Sequence, residues 1–235
     1  MEQRDQIYEG KAKILYATDE PARLVQYFKD DATAFNAQKR GEIHDKGMVN
    51  NRMSERLFGY LEENGVHTHF VERLDDRRMV VLRLEMLPIE VIVRNRIAGS
   101  FARRLGLEEG GALRHRILEF CLKSDALGDP LITDDHIHAL GLVDDTIVAE
   151  VKRVTDRVNE LLTGFFAARG LDLIDFKLEY GIDSDGRLTL GDEICPDTMR
   201  LWDRTTGEKK DKDRFRHDLG GVEEAYQDVL SRVLG

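Results

Sequence analysis

The chain has 235 residues, 41% hydrophobic and 34% charged, with a formal charge of −10 at neutral pH. That length supports one large domain or two small ones around a real core, and no apolar run is long enough to span a bilayer. The acidic balance opposes a general nucleic-acid binder, and the two cysteines are too few for a disulfide framework or a zinc cage. The N-terminus MEQRDQIYEGKAK is polar and lacks an apolar signal core, so a cytoplasmic protein in a reducing compartment is expected.

Residues 5–17 read as two strands, with Ile7 and Tyr8 in the first and Ile14, Leu15 and Tyr16 in the second. Between them, Gly10 lets backbone approach a ligand closely, and Lys11 and Lys13 alternate onto one face. This suits a flap over polyphosphate; the plainer alternative is a charged hairpin tip. A third strand covers residues 24–29. Segment 39–47, KRGEIHDKG, is polar and short of apolar anchors, which predicts a mobile loop. Met53, Leu57, Tyr60 and Leu61 recur at helical spacing over residues 48–63, and Gly65 supplies the stop. Strands return at 66–72 and 79–86, Pro88 follows directly, and a new strand opens at 89–94. A kinked connection here predicts a lobe boundary between residues 87 and 88, with the backbone at 85–87 able to pair with an adenine edge.

Segment 92–110, IVRNRIAGSFARRLGLEEG, sets Arg94, Arg96, Arg103 and Arg104 around Gly99-Ser100. Ser100 is a good N-cap, and a helix N-terminus beside arginines is an anion site; otherwise these are surface charges. Arg94 follows an apolar strand and is expected to point inward. Residues 110–140 read as loop-rich. His67 with His69, and His136 with His138, each place two imidazoles on one strand face. With no third ligand of suitable type near either pair, ordinary surface histidines are expected. Asp144 or Asp145 caps a long core helix, from Ile147 through Val151, Val158 and Leu162 to Phe165, ended by Gly170. The basic cluster KKDKDRFRHDLGG, 209–221, precedes a final amphipathic helix carrying Val222, Tyr226, Val229 and Val233.

The stretch 171–203 organises the rest. Asp183, Ser184, Asp185 and Gly186 form a turn between two strands. In the first strand Ile174, Phe176, Leu178 and Tyr180 fall on one face, and Asp175, Lys177 and Glu179 on the other. The second strand ends in Gly191-Asp192-Glu193. Acidic oxygens with a lysine suit a hard cation and the phosphates it carries; the alternative is a solvated hairpin. Whether Asp192 or Glu193 faces Glu179 depends on a bulge at Gly191, which the pattern leaves open.

The stretches YEGKAK (8–13), DDATAFN (30–36), KGMVNN (46–51), PIEVIVRNRIAGS (88–100), DFKLEYG (175–181), GDEICPDTMRLWD (191–203) and DKDRFR (211–216) together resemble the phosphoribosylaminoimidazole-succinocarboxamide synthase, or SAICAR synthetase, family. The resemblance implies a two-lobed α+β fold. An antiparallel N-terminal sheet like those of kinases and ATP-grasp ligases would occupy residues 1–87, and a larger α/β lobe 88–235, with ATP in the cleft. It implies an enzyme of purine synthesis that joins carboxyaminoimidazole ribotide (CAIR) to L-aspartate, splitting ATP to ADP and phosphate. It further implies ATP contacts at Gly10, Lys11, Lys13, Glu85 and Met86, and Mg2+ on Glu179 and Asp192. Lys177 and Asp175 would be catalytic, and Arg94, Ser100, Asp197, Arg200, Lys212 and Arg216 would bind substrate. A homodimer is compatible with it, and neither nucleic acid nor membrane is implied. Two positions depart from the family pattern: Asn36 stands where many relatives have Asp, and Cys195 where many have Ser.

A carboxylate is a poor electrophile, since its charge repels an amine and its leaving group would be oxide. Phosphorylation gives an acyl phosphate that an amine can attack, with no enzyme nucleophile required. Two rival readings share these residues: a small-molecule kinase of similar lobed fold, and a non-catalytic nucleotide-binding module. One ribotide and one aspartate bring a phosphate and three carboxylates, a load that the clusters 94–104 and 200–216 match better than a kinase requires.

Overall fold

The computed structural model describes residues 1–34 and 38–235, so Asn36 lies outside the described residues. Two antiparallel sheets organise the chain. The first takes β1 (Gln3–Glu9), β2 (Lys13–Thr18) and β3 (Arg23–Phe28), then leaves for a small pair, β4 (Asp31–Ala34) with β5 (Lys39–Glu42). After α1 (Lys46–Glu63) the chain returns as β6 (Phe70–Arg73) and β7 (Arg78–Leu82), completing the order β1-β2-β3-β7-β6. Leu24, Phe28, Met79 and Val81 form the apolar cluster on this sheet.

The second sheet begins with β8 (Glu85–Arg96), then α2 (Gly99–Leu105) and β9 (Ala112–Leu122). A 3-10 turn at Asp125–Leu127, β10 (Leu131–Ile132), α3 (Asp134–Leu140) and α4 (Asp145–Ala167) follow. Next come β11 (Leu171–Ile182), β12 (Leu188–Gly191), β13 (Met199–Asp203), α5 (Asp213–Arg216) and α6 (Val222–Leu234). The strand order is β10-β9-β8-β11-β12, with β13 also on β11. Thr68 bridges to Leu190, and Leu190 exchanges backbone hydrogen bonds with His67 and His69, tying the two sheets together. The larger core unites Val49, Met53 and Leu57 of α1 and Val151, Val158 and Leu162 of α4 with Val229 of α6, Val91, Phe176 and Leu178. Each such side chain contributes roughly 1.5–3 kcal/mol on burial.

Several elements depart from expectation. Segment 39–47 is not a loop: β5 pairs with β4, Ile43 is buried, and Lys46 and Gly47 already belong to α1. Lys46 is fully buried against a carboxylate, an anchor that apolar patterning cannot register. Residues 110–140 hold the eleven-residue β9, whose charged first half hides it. Pro88 does not break the strand. Met86 pairs with Gly181 and Glu90 with Glu179, so Pro88 sits in a bulge opposite Tyr180. There its missing N–H is not required. Ser100 is not the cap of α2; Ala98 takes that position, and the Ser100 hydroxyl accepts from Arg94 instead. His136 and His138 lie on a helix, not a strand, where His136 closes a capping box with Thr133. His69 is no surface histidine: it is buried edge-on against Phe58.

Candidate active site

The alternation of β11 survives in three dimensions, but neither face is solvated. Ile174, Phe176, Leu178 and Tyr180 enter the core, while Asp175, Lys177 and Glu179 line cavities on the opposite side. Lys177 is ion-paired to Glu179, and its Nζ lies 3.0 Å from Asp192 Oδ2 and 3.5 Å from Glu90 Oε2. Asp192 adopts a left-handed backbone (φ 63°), so β12 ends at Gly191 and the chain turns there. This turn, rather than a bulge, decides the open register: both Asp192 and Glu193 pair with Lys13, the latter at 2.7 Å. Lys123, at the end of β9, holds the other oxygen of Glu179.

These groups surround a cavity of 520 Å³, with Gly10 and Lys11 of the β1–β2 turn also on its lining. Lys11 reaches Asp125 at 2.6 Å in an exposed pair. Burial works against the Glu179 carboxylate, but the charges of Lys177, Lys13 and Lys123 outweigh it and hold its pKa well below the usual range. Burial likewise opposes the Lys177 ammonium, yet Glu179 and Glu90 raise its pKa above that of an ordinary lysine. Glu90 is pushed up by burial itself. Four carboxylates (Glu90, Glu179, Asp192 and Glu193) face three ammoniums (Lys13, Lys123 and Lys177), an excess of one negative charge. Among the described residues, no three His, Cys, Asp or Glu side chains form a ready metal cage. Two carboxylates with ligand phosphates suffice for magnesium, so the donor set fits that ion.

A second cavity of 260 Å³ adjoins the first, and Lys177, Asp197, Thr198 and Arg216 line both. Its walls are guanidinium groups. Arg94 donates to Glu119 (3.0 Å), Asp175 (2.9 Å) and Ser100 (3.0 Å). Arg200 donates to both oxygens of Asp175 (3.0 and 2.9 Å) and to Asp213 (2.8 Å), and Arg216 to Asp213 (2.6 Å). Burial opposes the Arg200 charge, but Asp175 and Asp213 raise its pKa. A Cβ added at Gly99 would stand 2.5 Å from Arg200 Cζ, and Gly99 has φ +56°, so glycine is needed there twice over. Arg96 lies outside this wall, paired with Asp172, and Arg104 turns to Glu119 from the last turn of α2.

Asp197 is a buried hub. It accepts from Lys46 (2.7 Å), Asn50 (3.2 Å) and Tyr226 (2.6 Å), with Lys212 at 3.7 Å. Burial alone would raise its pKa, but Lys212 and Lys46 hold it low. A third cavity, of 400 Å³, opens beside Met86 and is walled mainly by Leu15, Leu24, Val81, Leu82 and Leu84; Glu85, next to Met86 on β8, is exposed. Cys195 is buried and its thiol pKa is raised by burial, so it offers no thiolate. Sequence reasoning assigned no role to Glu90, Lys123 or Lys46. For Glu90 a signal existed, a lone carboxylate in the apolar run PIEVIV, while Lys46 and Lys123 carry none that spacing reveals.

The SAICAR synthetase family model matches residues 6–233. A phosphoribosylaminoimidazole-succinocarboxamide synthase of Novosphingobium aromaticivorans is 56% identical, covering 99% of this chain and 90% of its own. That of Clostridium acetobutylicum is 51% identical over the whole of both chains. Among solved structures, the Ehrlichia chaffeensis synthase superposes with a TM-score of 0.95 at 40% identity, covering 97% of this chain and 98% of that one. A SAICAR synthetase in complex with ADP gives 0.94 at 42% identity, covering 97% of each. With its lysine-carboxylate and arginine-carboxylate cavities meeting at one strand, the chain belongs to the SAICAR synthetase family, ATP-dependent ligases of purine biosynthesis.

Proposed function

We propose that the lysine cavity takes the phosphates of ATP, that the arginine cavity takes CAIR, and that phosphoryl transfer occurs at their junction beside Lys177. The observation that carries this is the placement of Lys177, which lines both cavities. Lys11 and Lys13 bind phosphate oxygens, and Glu179 and Asp192, with Glu193 beside them, are the carboxylates that would hold Mg2+. Bound there, the ion neutralises charge on the ATP phosphates. When phosphates draw off Lys13 and Lys177, carboxylate oxygens come free for it. Lys177 counters the charge building on the transferred group.

The CAIR carboxylate attacks the γ-phosphorus, ADP leaves, and the acyl phosphate forms. The aspartate amine then attacks the carbonyl, and phosphate leaves as the amide closes. Arg94, Ser100, Arg200 and Arg216 hold the ribotide and aspartate anions. Asp175, named with Lys177 as catalytic, acts in this reading through the two arginines it fixes, and Asp197 through Lys46 and Lys212. The sheet of β1–β3, β6 and β7 serves as the nucleotide-covering lobe and the chain from β8 onward, with α1 packed on it, as the substrate lobe. The division expected between residues 87 and 88 is thus moved ahead of β8, with the adenine edge at Glu85 and Met86. The reading includes a cytoplasmic homodimer with no nucleic-acid partner.

The test is ADP release from purified protein given ATP and magnesium with CAIR, with aspartate, and with both. Sustained ADP and amide product only with both supports the ligase. Full-rate ADP release with CAIR alone sinks it in favour of a kinase. Passage of 18O from the CAIR carboxylate into phosphate supports the acyl phosphate.

A further inference from the structure

The apolar cavity beside Met86 carries two buried polar atoms that have no hydrogen-bond partner among the described residues, Gln26 Nε2 and His69 Nε2. Gln26 is 1% exposed and lies in the middle of β3. It shares a face with Leu24 and Phe28 and stands opposite Leu15 and Met79 in the neighbouring strands. Leu15, Leu24, Phe28 and Met79 around it are apolar, and the charge on that face is Lys13 opposite Phe28. A leucine would therefore satisfy the local packing, and an unpaired amide N–H is a burden on the fold. A polar group kept against that burden calls for a ligand to complete it. His69 adds no charge to the same wall, since burial lowers its pKa to about 3 and leaves the imidazole neutral.

The neighbouring phosphate cavity shares Tyr8, Lys13, Lys123, Glu179 and Asp192 with this one. A nucleotide whose phosphates reach Lys13 therefore has apolar walls available for its base, with Gln26 on that lining. A flat base buries its faces against leucine and valine, and its edge carries ring nitrogens and an exocyclic group. A primary amide meets adenine at N7 and N6 in two parallel hydrogen bonds.

We propose that Gln26 is a specificity-determining residue that reads the base of the nucleotide, its Nε2–H donating to N7 and its Oε1 accepting from the N6 amine. This rests on the nucleotide site proposed above. Guanine presents an O6 acceptor where adenine presents the amine, so it sets two acceptors face to face and is rejected.

The test assays the full-length protein, as wild type and as Gln26→Leu, at saturating CAIR and aspartate with ATP, 7-deaza-ATP or GTP. Loss of N7 should lower kcat/KM about tenfold in the wild type and by no more than about twofold in Gln26→Leu, and the preference for ATP over GTP should shrink by a similar factor. The thermal midpoint of nucleotide-free Gln26→Leu should equal or exceed that of the wild type. Equal 7-deaza penalties in both proteins overturn the proposal, as does a clearly lower midpoint, which would show the amide supporting the fold. Leu15→Trp, which fills the same cavity from β2, separates the two readings. If it leaves the KM for ATP unchanged, the base lies elsewhere and the nucleotide site itself is wrong. If it raises that KM while the 7-deaza penalties stay equal, only the role of Gln26 fails.

Discussion

The two cavities that meet at Lys177 balance charge by different means. In one the cations are lysines, with side chains 18% exposed at Lys13, 29% at Lys123 and 28% at Lys177. In the other they are mostly arginines, 4% exposed at Arg94 and 13% at Arg200, each gripped by buried carboxylates, with Arg216 at 24% on the wall that the two cavities share. An ammonium is a rotatable point charge that exchanges one oxygen partner for another at little geometric cost, whereas a guanidinium fork locked by two carboxylates keeps its shape. Where partners change during a reaction cycle, lysine fits; where a planar carboxylate or phosphate must be met in one orientation, arginine fits. The asymmetry matches a ligase that spends ATP on one side and orients acids on the other.

The largest effect should come from disturbing exchange on the lysine side. Asp192→Asn is expected to lower kcat by at least ~100-fold, about 2.7 kcal/mol of transition-state stabilisation, with the fold intact. Near-normal turnover at saturating magnesium would remove Asp192 from the metal site and blur the division between the cavities. On the arginine side, Arg94→Lys keeps the charge and loses the fork, so the KM for CAIR should rise about 30-fold, or about 2 kcal/mol, while that for ATP moves by no more than about twofold. Lysine is the sharper substitution because Arg94→Ala would also strip one of its two arginines from each of the buried carboxylates, leaving Asp175 to Arg200 alone and Glu119 to Arg104 alone. Equal rises for both substrates would erase the distinction.

The sequence exposed the two sides unequally. Alternation along β11 was enough to put Asp175, Lys177 and Glu179 on one face, because period-two geometry is local. The apolar periodicity of α1, α4 and α6 placed the core for the same reason. What escaped was long-range or conformational. Lys46 meets Asp197 across 151 positions, and Lys123 meets Glu179 across 56. The left-handed turn at Asp192 belongs to a residue type that adopts it only occasionally, so the pattern left both acids in contention. Charged strands such as β9 and polar ones such as β5 were lost because their pairing, not their hydrophobicity, defines them.

A milder challenge to the rigid side is Gly99→Ala. The added methyl would displace Arg200, and the left-handed backbone costs about 1–2 kcal/mol without glycine. The expected result is a thermal midpoint lowered by a few degrees and a KM for CAIR raised about tenfold, or about 1.4 kcal/mol, with ATP little affected. Unchanged CAIR affinity would show that the arginine wall tolerates movement, against the shape-keeping role assigned to it.

The last difference is in stability against pH rather than in turnover, where a buried group behind each cavity acts with opposite sign. His69, behind the lysine side, has its pKa lowered by burial from 6.5 to about 3. Between those values the unfolded chain binds the proton and the folded protein refuses it, so this group makes stability rise with pH up to about 6.5. Asp211, whose carboxylate accepts from the backbone N–H of Leu201 and Asp213 behind the arginine side, is raised by burial and by Asp213 from 3.8 to about 7. There the folded protein keeps a proton that the unfolded chain has lost, so between about 4 and 7 its contribution falls as pH rises. The two slopes oppose each other, each approaching about 1.4 kcal/mol per pH unit within its window. Urea titrations from pH 4.5 to 7.5 should therefore show His69→Phe gaining stability relative to the wild type as the solution is made more acid. Asp211→Asn should gain relative to it as the solution is made more alkaline, over a constant offset from the acceptor it loses. Parallel curves for the wild type and His69→Phe would mean that the imidazole titrates normally in the folded protein. The lysine side would then be wetter than its neighbour all the way to its back wall.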